Sequence, residues 1–141
     1  MIRYSKDALE AIACLFDQAN GRELASYETS QLLEHSLNGE DPVSISKLLV
    51  DLIRRDESLD ASYRLAVYWA LSKRYDKELI PFFVERLIIE LTLGDEAVYQ
   101  LLIALDNLDE AVFGQDRDGS YSILDTDLNR RDAKLYLTKG S

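Results

Sequence analysis

One cysteine and one histidine in 141 residues remove most familiar catalytic and metal chemistry. Cys14 has no second cysteine to pair with, so no internal disulfide forms, which matches a reducing, cytoplasmic setting. Its apolar helical neighbours make it a packed thiol rather than a nucleophile. His35 has neither a cysteine ligand nor an H-E-x-x-H partner near it, which leaves no zinc site and no histidine-based triad. The six glycines form no phosphate-binding loop. Long apolar runs are also missing: nothing approaches the roughly 18 residues of a membrane span. The apolar face of the N-terminal stretch is broken by Asp7, Glu10 and Asp17, so no signal peptide is expected. Basic residues are few, 16 against 26 acids for a net charge of -10. That balance disfavours nucleic acid and anionic membrane and favours a basic partner.

What is present is an ordinary globular composition, 47% apolar and 30% charged, at the usual length of one domain. The chain is read as a single helical domain, 1–141, with Gly140-Ser141 resembling an expression remnant of no functional consequence. Leu9, Ile12, Ala13 and Phe16 follow helical spacing between a Ser5 N-cap and an Asn20-Gly21 stop. Leu24, Tyr27, Leu32, Leu33 and Leu37 predict a second helix running to Asn38-Gly39. Ile45, Leu48, Leu49, Leu52 and Ile53 form the clearest stripe, after Pro42. A fourth helix, with Leu65, Val67, Trp69, Ala70 and Leu71, is apolar on more than one side. The segment from Lys77 to Gly94 is more apolar still, with Pro81 acceptable in its first turn. Val98, Leu101, Leu102, Leu105 and Leu108 define a sixth helix, with Asp95 and Glu96 at its positive end. Ser122 and Asp125 begin a seventh in capping-box spacing, continuing through Leu124, Leu128 and Leu135. The expected architecture is all-α, about seven helices in antiparallel pairs, forming a HEAT-like stack or an irregular helical bundle. Leu9, Leu48 and Leu87 recur at a constant spacing of 39 residues, near the length of a two-helix repeat, which favours the stack.

"FGQDRDGSYSILDTD", Phe113 to Asp127, follows the sixth helix. With Asp116 at position 1 of a calcium loop, Asp118, Ser120, Ser122 and Asp127 fall at positions 3, 5, 7 and 12. The glycine required at position 6 is Tyr121, so an ordinary turn at Asp118-Gly119 is the better reading. Adjacent carboxylates such as Asp95-Glu96 and Asp109-Glu110 point in different directions on a helix and are not an acid/base pair. No catalytic, cofactor-binding or metal-binding residue is assigned. From Asp95 to Asp127 there are nine acids and one base, Arg117, which holds most of the net charge. Acids on a solvated face are common, but Phe113 and Tyr121 among them suit a protein-binding surface. The candidate partner-binding residues are Asp106, Asp109, Glu110, Asp116, Asp118, Tyr121, Asp125 and Asp127, with Tyr121 as a contact and Phe113 as a packed residue.

"LLIALDNLDEAVFG" and "SYSILDTDLNRRDAKLYL", within Leu101 to Leu137, resemble the helical immunity proteins of bacterial polymorphic toxin and contact-dependent growth inhibition systems, in particular immunity protein family 30. The resemblance implies a small, non-enzymatic cytoplasmic protein that binds and neutralises a cognate toxin C-terminal domain. It supplies no contact residues. The acidic segment adds that the toxin would be basic, such as a nuclease. The alternatives are a HEAT-like adaptor or scaffold for an intracellular protein partner and, less supported by residues, a carboxylate-based or metal-assisted hydrolase.

Overall fold

The computed structural model describes residues 3–139; Gly140 and Ser141 lie outside them. The fold is all-α, with seven α-helices, two single 3-10 turns and no strand among the described residues. Length predicts one domain; the internal contacts gather into two compact units, one ending at Tyr75 and one beginning at Asp76.

The first unit holds α1 (Lys6–Ala19), α2 (Ser26–Glu34), α3 (Pro42–Arg55) and α4 (Ala61–Ser72). The starts of α1, α3 and α4 are written in the sequence as side-chain acceptors for orphan helix N–H groups. Ser5 Oγ accepts from the Ala8 N–H at 3.1 Å, Asp41 from Val43 at 3.2 Å and Asp60 from Tyr63 at 2.8 Å. Pro42 occupies the first turn of α3, where no N–H is required. Helix α1 buries Leu9, Ile12, Ala13 and Phe16 and packs against α2, α3 and above all α4. Helix α4 buries Val67, Tyr68, Ala70 and Leu71, while Leu65 and Trp69 stay half-buried. In α3 the residues Ile45, Leu49, Leu52 and Ile53 are buried but Leu48 is 49% exposed. The 39-residue leucine spacing therefore does not mark equivalent core positions, and the contacts of this unit describe a bundle about α1.

The second helix departs most from expectation. It ends at Glu34, with Ser36 in the left-handed region, well before Asn38-Gly39. Tyr27 and Leu33 are exposed, and the residues α2 turns inward are Leu32 and Glu28. Glu28 can be buried because its carboxylate accepts from the Ala25 N–H, both Arg22 Nη atoms and the Cys14 thiol.

The second unit holds α5 (Ile80–Leu93), α6 (Val98–Asp106) and α7 (Thr126–Lys139), all three in mutual contact. A 3-10 turn, Lys77–Leu79, leads into α5, and Pro81 sits in its first turn. Phe82, Phe83, Leu87, Leu101, Leu102, Leu105 and Ala133 fill the interior. Helix α6 stops at Asp106, short of the run that its leucines predict. Asp109 adopts a left-handed conformation, and the Glu110 N–H turns back to the Leu105 carbonyl at 3.1 Å. Leu108 and Val112 remain buried beyond the helix, which keeps the following segment against the bundle.

Candidate functional site

The acidic segment is folded around its single base. The Arg117 side chain is 1% exposed, and its Nη1 donates to Asn129 Oδ1 at 2.8 Å and to Asp132 Oδ2 at 3.1 Å. Asp125 approaches Nη2 at 3.6 Å. The Phe113 and Tyr121 rings stack on one another at 3.8 Å, and the guanidinium carbon lies 5.2 and 5.5 Å from their centroids. Arg117 Nε and Nη2 have no hydrogen-bond partner among the described residues. The stacked rings lie alongside the guanidinium and shield it from solvent.

Helix α7 supplies the other half of this arrangement, through a face that a search for hydrophobic periodicity passes over. Asn129, Asp132 and Ala133 are its buried residues, and half-buried Tyr136 continues the same i, i+3, i+4, i+7 stripe. Leu135 is 52% exposed, and Leu124 precedes the helix altogether. Helix α7 therefore begins at Thr126 rather than Ser122, and what it buries is mostly polar. Asn129 Nδ2 also donates to the Ser122 carbonyl at 3.0 Å, tying the loop to the helix. Asp132 accepts from the Gly114 N–H, Arg117 and Arg131. Burial alone would raise its carboxyl pKa, but these donors outweigh burial and hold it below the ordinary range.

Two more arginines of α7 neutralise acids in the segment. Arg131 grips Asp116 through both Nη atoms at 2.8 Å, which depresses the Asp116 carboxyl. Arg130 reaches Asp95 at 3.0 Å and the Leu91 carbonyl near the end of α5 at 2.9 Å. Glu110 accepts from the Tyr136 hydroxyl at 2.6 Å, and burial together with that carboxylate raises the phenol's pKa.

Of the eight candidate partner-binding residues, the seven carboxylates thus separate into two kinds. Glu110, Asp116 and Asp125 have internal partners that hold the segment in place. Asp106, Asp109, Asp118 and Asp127 are exposed and have no cationic partner among the described residues. Partial burial and then the charge of Asp109 raise the Asp106 carboxyl. Asp118 and Asp109 both adopt left-handed backbone conformations. Tyr121, the eighth, is 36% exposed and carries its other face on half-buried Phe113. The segment therefore encloses a guanidinium, with Asp116 and Asp125 committed to arginines, and among the described residues no group of three or more His, Cys, Asp or Glu converges to hold a metal ion. Sequence reasoning missed Arg117, Asn129 and Asp132. The available signal was one base isolated among nine acids, followed by a helix with polar residues at helical spacing.

No protein-family model matches this chain, and neither a curated protein nor a solved structure does. No helix among the described residues is long and apolar enough to cross a membrane.

Proposed function

We propose that this protein is an immunity protein that binds a toxin domain in the bacterial cytoplasm and blocks its activity. The toxin is basic, a nuclease being the natural kind, and the face that receives it is the acidic surface from Asp106 to Asp127. The resemblance of Leu101 to Leu137 to helical immunity proteins suggests the class. The observation that carries the surface assignment is the division of its carboxylates. Those with arginine or tyrosine partners build the segment, while Asp106, Asp109, Asp118 and Asp127 are left exposed and uncompensated.

A rigid surface of uncompensated charge steers a partner of opposite sign and accelerates its capture. Speed matters for a protein that must intercept a toxin before damage is done. A basic groove that binds phosphates would be covered by such a surface, which makes occlusion of that groove the simplest mode of inhibition. This reading expects a toxin C-terminal domain encoded immediately upstream, and coexpression with that domain tests it. The two chains should copurify and the toxic effect should disappear; a toxin domain that remains active and unbound contradicts it.

A further inference from the structure

The most exposed large hydrophobic side chain among the described residues lies in the acidic segment. Leu124 is 85% exposed and its neighbour Ile123 48%, while Tyr121 shows 36% of its surface. The turn that presents them is fixed internally. Ser122 Oγ accepts from the Leu124 N–H at 3.1 Å, the Ser122 carbonyl accepts from the Asp125 N–H at 3.1 Å, and the same carbonyl is held by buried Asn129. Two adjacent branched aliphatic side chains on a tied-down turn are already arranged for burial, with little ordering cost left to offset on binding. Asp118 and Asp127 flank them in sequence, both exposed and without a cationic partner among the described residues, whereas Asp125 is drawn toward Arg117.

We infer that Ile123 and Leu124 form an apolar anchor that enters a hydrophobic pocket rimmed by lysine or arginine on a partner protein. The flanking carboxylates select that occupant. They repel the same turn of a second copy and an anionic lipid surface, whereas basic side chains at the mouth of a pocket satisfy them as the two aliphatic groups go in. The inference rests on the reading of the acidic segment as a docking face. It divides the labour within it: carboxylates govern the encounter and the aliphatic pair governs residence.

The test uses the full chain and, as probe, the catalytically inactivated toxin domain encoded immediately upstream, with rates read by stopped flow over a range of salt concentrations. Leu124→Ser should raise the dissociation rate about 10- to 100-fold, as expected for losing one buried leucine. Its association rate and salt dependence should stay near those of the parent chain, and its thermal melting should be unchanged. An unaltered dissociation rate overturns the anchor, and the docking face survives if association remains salt-dependent. A raised dissociation rate with salt-independent association removes the basic rim. A variant that changes self-association on sedimentation instead assigns the turn to a second copy and overturns the proposal. Absence of any complex with the parent chain removes both the anchor and the docking face.

Discussion

Arg117 and Asp132 meet at 3.1 Å with 1% of each side chain exposed, joining the acidic segment to α7 through the interior of the unit. The Arg131–Asp116 pair has shorter contacts, but its side chains are 38% and 61% exposed. Exposed pairs contribute at most about 1 kcal/mol, whereas removing one partner of a buried pair costs about 3–5 kcal/mol. The buried pair therefore decides whether the segment keeps its form. Arg117→Met should lower the stability of this unit by about 1–3 kcal/mol in urea unfolding, because Asn129 and Asp132 lose a buried donor while Arg131 and the Gly114 N–H still hold the carboxylate. Adding Asp132→Asn should recover part of the loss. A single variant within 1 kcal/mol of the parent would place the organising contact elsewhere.

Gly114 is required for space. A Cβ built there would lie 2.5 Å from Asp116 Oδ1, 2.7 Å from Arg131 Nη2 and 3.1 Å from Asp132 Oδ1. Asp116 and Arg131 can swing outward, but Asp132 is buried and bonded to the Gly114 N–H. Gly114→Ala should therefore separate Arg131 from Asp116 and destabilise the unit by about 1–3 kcal/mol, as overpacking does. Equilibrium unfolding checks the magnitude. Retention of full stability would mean that the three side chains can all move aside.

Much of the architecture could be read in advance because it rests on local rules. Ser5, Pro42 and Pro81 announced the starts of α1, α3 and α5 through capping and proline geometry, and the α3 stripe named four of its five buried positions. The misread inner faces of α2 and α7 share one cause: hydrophobic periodicity cannot see a polar group that is buried because it is paired. Glu28 replaces an apolar residue on the inner face of α2, and Asn129 and Asp132 do so on α7. In each case the arginine that makes burial affordable lies in a loop, Arg22 or Arg117, at a distance that the sequence does not encode. The acidic segment was recognised as charged, yet its division into paired and unpaired carboxylates depended on Arg131 and Tyr136, which fall outside the window of acids, as well as on Arg117 within it.

Acid stability of the first unit should carry the imprint of Glu28 and Asp56. Hydrogen bonds from Arg22, then from the Ala25 N–H, hold the Glu28 carboxyl at about 2. Those from Ser58, then Arg3, hold Asp56 at about 2. Both folded values lie below the ordinary 4.5 and 3.8. The unfolded chain therefore binds protons first, so stability is fully present above the ordinary values and is lost as pH falls toward 2. Urea unfolding measured from pH 6 downward should show this decline, and Glu28→Gln should make it shallower. Parallel declines in the two proteins would remove Glu28 from the account.

The claim on which the functional reading turns is that unpaired carboxylates on a rigid segment steer a basic partner. Converting Asp106, Asp109, Asp118 and Asp127 together to Asn removes the charge without touching the Arg117 or Arg131 contacts, so the helical fold should be retained by circular dichroism. The measurement is the association rate of this variant with the upstream-encoded toxin domain as a function of ionic strength. At low salt the rate should drop by about 10-fold or more, and its salt dependence should flatten as the screened long-range attraction disappears. An association rate and a salt slope equal to those of the parent, with the fold intact, would contradict the assignment of this surface to the toxin.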